Sequence, residues 1–271
     1  MFPYFTVFGF RVGLYGIMMA VALLAAYLVL SLGMRRRGIR FEAAILIECC
    51  AFGLALLGAY LLYLVASVGL GNVLRMIRAG DWEQLLQNGG LVFYGGLIGG
   101  ILGVILGCKL CGLRFLPVLD LCAPAIALAH GFGRLGCLFA GCCYGIPCDW
   151  FFCFPLSEQI AGGQKLFPVQ LVEAVCDAIL FFALWRYARK ARPVGKSAGI
   201  YLMAYAVCRF VLEFFRYDEI RGHFLALSTS QWVSIPLFLA GVILYFGIAK
   251  RNVNEEIFVT DMARIPVKEK K

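Results

Sequence analysis

Two arginines of this sequence lie inside long apolar stretches, where charged side chains are costly. Arg134 and Arg209 each interrupt a run that is otherwise hydrophobic. An ionisable side chain at the centre of a membrane helix costs about 2.5–3.5 kcal/mol on insertion scales and usually faces a bundle interior or a wet cavity. Guanidinium groups bind phosphate through paired hydrogen bonds. We therefore predict that Arg134 and Arg209 clamp a lipid phosphate.

Further polar side chains repeat at helical spacing near these arginines. Two sets share a helix face, the first being Gln170, Glu173 and Asp177 and the second Tyr205, Arg209, Glu213 and Arg216. Such carboxylates either neutralise the arginines around a substrate site or form an ionic lattice that only holds helices together. Both interpretations stay open for the acidic residues of the two sets and for Arg216.

Three other ionisable residues fit structural roles. Glu48 and Asp120 fall near the cytoplasmic ends of their predicted helices, so we assign them interfacial or structural roles. His130 precedes Arg134 by one helical turn, and we expect a buried, hydrogen-bonded imidazole rather than a base.

Glycines recur between residues 89 and 103. The spacing of Gly95, Gly99 and Gly103 lets two helices approach closely. The Gly95-Gly96 pair could also offer backbone N–H groups to an anion. Helix packing is the interpretation that we favour.

The composition indicates what kind of scaffold positions these residues. Of 271 residues, 62% are apolar and 15% are charged. The usual apolar share of soluble domains is about 45–50%, and several runs here reach the roughly 18 residues that can cross a bilayer core. These features exclude a soluble enzyme. The net charge of +9 comes from short basic clusters between apolar runs, so we expect no nucleic-acid partner.

The sequence predicts an all-α polytopic membrane protein with about seven transmembrane helices. The spans are residues 12–32, 41–68, 90–108, 115–139, 169–185, 198–215 and 230–249. Basic residues concentrate after the first, third and fifth spans and in the tail, which predicts an outside N-terminus and a cytoplasmic C-terminus. A short amphipathic segment between residues 69 and 89 is expected on the outer interface. Residues 1–249 then form one membrane domain, and residues 250–271 form a polar cytoplasmic tail.

Five of the 12 cysteines cluster at the end of the fourth predicted span and after it: Cys137, Cys142, Cys143, Cys148 and Cys153. Three interpretations stay open. Disulfides could brace the outer loop at residues 140–168, because an extracytoplasmic position permits oxidation. A thiolate metal site is a second interpretation, although the spacing lacks the paired C-x₂₋₄-C of structural zinc sites. A reactive thiol near Arg134 is the third.

Five segments resemble, in order, motifs of bacterial prolipoprotein diacylglyceryl transferase. They are residues 14–16 (LYG), 89–96 (GGLVFYGG), 133–136 (GRLG), 168–173 (PVQLVE) and 205–216 (Y-x₃-R-x₃-EFFR). That family transfers the diacylglyceryl group of phosphatidylglycerol to a lipobox cysteine of a prolipoprotein and releases glycerol phosphate. The resemblance implies these two substrates, a bacterial plasma-membrane location with an extracytoplasmic active site, and no cofactor or metal.

The resemblance and the chemistry of the residues together give the expected site residues. The expected catalytic residues are Arg134, Arg209, Tyr94 and Tyr205. The expected substrate-binding residues are Tyr15, Gly95, Gly96, Gly133, Gln170, Glu173, Glu213 and Arg216. Reactive or disulfide-bonded thiols are expected among Cys137, Cys142, Cys143 and Cys148.

The chain departs from the family pattern at several polar positions. Tyr94 stands where a histidine usually precedes the Gly-Gly pair, and Phe167 replaces a histidine before the proline of span five. Cys137 and Cys142 stand where the family signature has an asparagine and a glutamate. The leading hypothesis is still diacylglyceryl transfer. The alternatives are a different lipid-linked or thiol-dependent reaction on the same fold, or a lipid or anion transporter, although no inverted repeat is visible.

Overall fold

The structure of the protein, a computed structural model, describes residues 4–7, 10–83, 90–155, 164–190, 192–217, 223–224, 227–248 and 256–265. The helices are α1 (Leu14–Arg35), α2 (Phe41–Tyr63), α3 (Leu70–Ala79), α4 (Phe93–Cys111), α5 (Phe115–Ala140), α6 (Val169–Tyr187), α7 (Lys196–Leu212) and α8 (Thr229–Val242). Antiparallel pairs form between β1 (Tyr4–Val7) and β2 (Phe10–Gly13), β3 (Phe154–Pro155) and β4 (Lys165–Leu166), and β5 (His223–Phe224) and β6 (Leu227–Ser228).

The prediction of a polytopic helical membrane protein is confirmed. Among the described residues, six helical segments are long and apolar enough to cross a membrane: Leu14–Arg35, Phe41–Ala79, Phe93–Cys111, Phe115–Ala140, Lys196–Phe215 and Thr229–Ile248. The remaining predicted span forms α6, which has 19 residues. Every 18-residue stretch of α6 contains Glu173, Asp177 and Arg186, whereas each of the six segments has such a stretch with at most two charged residues. The count of seven therefore stays a prediction.

The structure shifts two of the span boundaries, which the sequence gives only to within a few residues. The first helix begins at Leu14 rather than at residue 12, because Phe10–Gly13 pairs with Tyr4–Val7 as a hairpin. The second helix does not end at residue 68, since a π-helical turn at Leu64–Gly69 leads directly into α3. Helix α3 lies in the segment predicted to be amphipathic. The end of the last predicted span, Ala249, and residues 84–89 lie outside the described residues.

The chain forms two compact units, of which residues 34–118 and 256–271 make up one. In this unit α2 and α4 contact each other through glycines. A Cβ atom added to Gly99 or Gly103 would overlap the backbone of α2, at Leu54 and Cys50 respectively. The two helices therefore approach at backbone distance, which confirms the packing interpretation of these glycines.

The C-terminal segment of the same unit is held by backbone hydrogen bonds. The Arg40 N–H donates to the Ala263 carbonyl at 2.8 Å, and the Arg114 N–H donates to the Ile257 carbonyl at 2.9 Å. Gly112, in left-handed conformation with φ +65°, ends α4 beside this segment. Residues 256–265 thus join the turn after α1 to the turn after α4.

The other unit comprises residues 1–33 and 119–255. Its helices α5, α6 and α7 meet at a buried cluster of Ala123, Ala127, Leu184 and Tyr201. Small residues on α5 let the two neighbouring helices pack closely, which sets the distances between the polar residues one or two turns away. This packing positions the candidate site.

An aspartate fixes the start of α7. Asp120 accepts hydrogen bonds from the backbone N–H groups of Gly195 and Ala198, at 2.6 and 2.8 Å. Its carboxylate satisfies amides that lack partners inside the helix and complements the positive end of the helix dipole. The structural role predicted for Asp120 is confirmed.

Candidate active site

Glu173 joins the two arginines that the sequence singled out. Its Oε2 lies 2.9 Å from Nε of Arg134 on α5, and its Oε1 lies 2.9 Å from Nη1 of Arg209 on α7. The side chains of Arg209 and Glu173 are 8% and 7% exposed, whereas that of Arg134 is 22% exposed. One buried carboxylate therefore neutralises a buried and a more accessible guanidinium.

Arg209 is held from several directions. Its Nη2 contacts Oε2 of Glu213 at 2.6 Å and donates to Oγ of Ser230 at 2.8 Å. The hydroxyl of Ser228 donates to the other oxygen of Glu213 at 2.9 Å. The i,i+4 contact between Arg209 and Glu213 fits the predicted shared face. These bonds fix the guanidinium of Arg209 in one orientation.

Arg216 lies beyond this helical face. After α7 the chain makes a 3₁₀ turn at Glu213–Phe215, and Arg216 follows in extended backbone. It forms a single β-bridge with Gly145, and its residue surface is 8% exposed. The regular helical spacing predicted for Arg216 is wrong, because the backbone leaves the helix before it.

His130 has a hydrogen-bonded environment of tyrosines. Its Nδ1 lies 2.8 Å from the hydroxyl of Tyr201, and its ring centre lies 5.1 Å from that of Tyr205. The expectation of a hydrogen-bonded imidazole is confirmed. Because Tyr205 precedes Arg209 by one turn of α7, the aromatic group lies next to the ionic one.

Open space and an exposed ring lie beside Arg134. No described atom comes within 4 Å of the position that a Cβ of Gly133 would occupy, apart from the local backbone. One turn later, the ring of Tyr15 and the side chain of Met18 pack over Gly136, each 3.2 Å from its Cβ position. Tyr15 is 45% exposed. The residues around Arg134 thus leave it approachable.

The loop after α5 is fixed to neighbouring elements. Gln170 is 1% exposed and donates through Nε2 to the carbonyl of Cys142 at 2.6 Å. Gly145 N–H donates to Phe167 at 3.0 Å, and Ile146 N–H donates to Phe215 at 2.9 Å. These bonds hold residues 142–146 against the start of α6 and the end of α7.

Phe167, which stands where the family usually has a histidine, lies in an apolar environment in this structure. Phe167 stacks on Phe215 with ring centres 5.1 Å apart and packs with buried Val169 and Leu212. An ionisable side chain at this position would lack a polar environment among these neighbours. The apolar residues around Phe167 therefore suit a phenylalanine at this position rather than the family's histidine.

The outer cysteines divide into two groups. Cys148 and Cys153 form a disulfide, which confirms bracing within this loop for that pair. In the described part of the chain Cys137, Cys142 and Cys143 carry free thiols, and their sulfur atoms all lie within 4.8 Å of one another.

The thiol of Cys143 lies among other thiols and within reach of positive charges. Hydrogen bonds from the thiols of Cys137 and Cys142 lower the pKa of Cys143, and the charges of Arg216 and Arg134 lower it further. Its φ of +62° is unusual for a residue other than glycine. The loop therefore holds this cysteine in a specific conformation that favours its thiolate.

Tyr94, Gly95 and Gly96 belong to the other compact unit. The N–H groups of Gly95 and Gly96 both donate to the Val92 carbonyl, at 3.1 and 3.2 Å. Gly95 lies against Gly58 of α2. These contacts describe the start and packing of α4, and a substrate role for the three residues stays a prediction.

The sequence reasoning missed the serines at the start of α8. Ser228 caps this helix by accepting from the Gln231 N–H, while the Gln231 side chain accepts from the Ser228 N–H. The Ser-x-x-Gln pattern is a recognised helix start. It would have placed Ser228 and Ser230 next to the end of α7.

Together, the fold and the site define a polytopic helical membrane protein with two arginines bridged by a buried carboxylate. The family model of prolipoprotein diacylglyceryl transferase matches residues 3–247. The chain belongs to this family of membrane transferases, as its motifs suggested.

Several relatives are similar to this protein along nearly the whole chain. The phosphatidylglycerol–prolipoprotein diacylglyceryl transferase of Clostridium tetani is 35% identical over 246 residues, 89% of this chain and 95% of that protein. The transferase 2 of Clostridium perfringens is 33% identical over 255 residues, 88% and 92% of the two chains. The Geobacter sulfurreducens enzyme is 33% identical over 267 residues, 93% and 98% of the two chains.

Proposed function

We propose that this protein transfers the diacylglyceryl group of phosphatidylglycerol to the thiol of a lipobox cysteine in a prolipoprotein. The observation that carries the proposal is the bridge from Arg134 through Glu173 to Arg209, with Arg134 the more accessible arginine. The names of the relatives supply the two substrates. An anionic lipid headgroup suits a preoriented guanidinium in a site of low water content.

In the proposed reaction the substrate thiol attacks the glyceryl carbon that bears the phosphate. A C–S bond forms, the C–O bond to the phosphate breaks, and the bonding pair leaves on the phosphate oxygen. Glycerol phosphate departs with one more negative charge than the lipid phosphate had, and the thiol proton is released. The enzyme must therefore stabilise growing charge on phosphate, which is the task of a positioned guanidinium.

The two arginines take different parts in this proposal. Arg134 contacts Glu173 through Nε, so its terminal nitrogens serve the phosphate of the lipid. Arg209 is occupied by Glu173, Glu213 and Ser230, so it fixes the carboxylate that orients Arg134. This proposal refines the predicted two-arginine clamp: Arg134 binds the phosphate, and Arg209 orients Arg134 through Glu173.

Tyrosines flank the proposed phosphate position. Tyr15 and Tyr205 would donate hydrogen bonds to headgroup oxygens. The catalytic role of Tyr94 stays a prediction from the sequence. Open space at Gly133 admits the headgroup next to Arg134. Gln170 contributes by holding the neighbouring loop.

The proposed membrane arrangement follows the distribution of basic residues. We propose that α6 is the seventh span, with its charged face turned inward, and that the N-terminus lies outside and the C-terminus in the cytoplasm. Residues 1–249 would form the membrane domain and 250–271 the cytoplasmic tail. The arginine site would then face the extracytoplasmic side of the plasma membrane.

A mass-spectrometric assay tests the proposal. Purified protein in phosphatidylglycerol bilayers is incubated, under reducing conditions, with a lipobox peptide, and a diacylglyceryl mass is expected on the peptide cysteine. Arg134→Ala should abolish the adduct, whereas Arg189→Ala, at an exposed arginine after α6, should not. Folded wild-type protein that gives no adduct would refute the proposed reaction. An aggregated Arg134→Ala protein would instead make that arginine structural.

The free thiols favour one second candidate, a thiol-dependent reaction on the same fold. Cys142 is exposed and close to two other sulfur atoms. The proposed transfer uses the substrate thiol as nucleophile, so Cys142→Ala should retain it. Loss of all transfer in folded Cys142→Ala protein would favour the second candidate.

A further inference from the structure

We propose that Cys137, Cys142 and Cys143 form a three-thiolate site for a thiophilic divalent cation such as Zn²⁺. Their sulfur atoms all lie within 4.8 Å of one another. Zinc–sulfur bonds of about 2.3 Å in tetrahedral geometry put ligand sulfurs about 3.8 Å apart. Side-chain rotations that move the sulfurs by less than about 1 Å would therefore complete such a site.

The chain geometry explains why residue spacing alone did not indicate this site. Cys137 lies on the last turn of α5, and Gly141, with φ +71°, reverses the chain after that helix. The Cys142 N–H then donates to the Cys137 carbonyl at 3.1 Å. A helix end thus brings together cysteines that the paired spacing of zinc knuckles would not.

The backbone holds the remaining thiols in place before any ion binds. Cys143 has a φ of +62°, a conformation that persists in non-glycine residues only when the surroundings hold it. The carbonyl of Cys142 is fixed by Gln170, whose side chain is buried. Such preorganisation lowers the cost of ordering ligands when a metal binds.

The residues around the three cysteines allow a cation to enter and partly balance the charge of the thiolates. Cys142 is exposed, so a cation can reach the cluster from solvent. Three thiolates and one divalent cation carry a net charge of −1, and the positive charges of Arg134 and Arg216 act on Cys143. Three protein ligands also leave a fourth coordination position for water or another small ligand, as in catalytic zinc sites.

Binding requires no oxidant or reductant. Each thiol that coordinates the cation loses its proton, so three metal–sulfur bonds form and up to three protons are released. The disulfide of Cys148 and Cys153 takes no part, because it lies outside this group of free thiols in the described chain.

Cobalt binding tests the proposal directly. The full-length protein is reduced, stripped of metal with a chelator and titrated with Co²⁺ under anaerobic conditions. We expect thiolate-to-cobalt charge-transfer absorbance that saturates at one equivalent and disappears when Zn²⁺ is added. Cys142→Ser and Cys143→Ser should each remove this saturable absorbance. Cys49→Ser, which removes an exposed thiol of α2, is the matched control and should retain it.

Three results would overturn the proposal. They are no saturable absorbance from monodisperse protein, equal absorbance in folded Cys142→Ser and Cys143→Ser proteins, or a reductant-resistant disulfide among the three cysteines on mass spectrometry. The readout is independent of catalysis. Protein that binds Co²⁺ but transfers no lipid would contradict only the proposed function, and the reverse result would contradict only the metal site.

Discussion

Glu173→Gln tests whether the buried carboxylate holds the site together. Glu173 makes two charge-assisted contacts of 2.9 Å, one to each arginine, and is 7% exposed. The contact with Arg209 is a charge-assisted hydrogen bond, which contributes about 1.5–3 kcal/mol, whereas the contact with Arg134 is an ion pair. In this variant the glutamine keeps one acceptor oxygen, and Arg209 keeps its contact with Glu213. The positive charge that loses its counterion is therefore mainly that of Arg134, which solvent partly screens. We expect the free energy of unfolding to fall by about 2–4 kcal/mol.

The matched control is the same substitution in an exposed ion pair. Glu256 contacts Arg264 at 3.2 Å, and their side chains are 70% and 43% exposed. Surface pairs contribute about 0–1 kcal/mol, so Glu256→Gln should change stability little. Thermal unfolding of both variants in detergent measures the difference.

An anion should partly replace the lost carboxylate. With Glu173 neutral, glycerol phosphate bound at Arg134 should raise the unfolding midpoint more than it does in the wild type. Equal midpoints for Glu173→Gln and Glu256→Gln would refute the reasoning, because the bridge would then contribute no more than a surface pair. An unchanged response to glycerol phosphate would show that Arg134 does not bind the anion.

Two further substitutions test how the scaffold positions the site. Asp120→Ala removes the carboxylate that accepts hydrogen bonds from Gly195 and Ala198. We expect thermal unfolding to show a destabilisation of about 0.5–2 kcal/mol. Unchanged stability would mean that other contacts fix the start of α7. Gly99→Ala places a methyl group against the α2 backbone, whereas the methyl group of Gly53→Ala meets no described atom within 4 Å. Gly99→Ala should therefore lower the unfolding midpoint, and Gly53→Ala should leave it equal or higher. Equal losses in the two variants would contradict close packing of α2 and α4.

The sequence predicted most of the helical scaffold because apolar runs of this length leave few alternatives. It also predicted that acidic and basic residues of different helices would meet, as Glu173 and Arg209 do. It could not show that Arg134 is more exposed than Arg209, since exposure depends on how neighbouring helices pack. The departure of Arg216 from the helical face was equally hidden, because its 3₁₀ turn has no clear sequence signature.

Features defined by backbone conformation were the hardest to predict. The approach of Cys137 to Cys143 depends on a left-handed residue after a helix end, which cysteine spacing does not indicate. The hairpin before α1 moved the start of the first span from residue 12 to Leu14, because a strand and a helix of apolar residues look alike over four positions. The secondary-structure propensities of individual residues do not indicate such interactions between distant backbone groups.

The backbone bonds of residues 256–265 have a consequence for biosynthesis. These residues are synthesised after their partners, Arg40 and Arg114, which belong to turns that leave the ribosome much earlier. The helices flanking those turns are therefore made before their joining segment exists. This end of the unit can close only after residue 265 has been synthesised, and a chain that stops upstream of residue 256 would leave both turns without these hydrogen bonds.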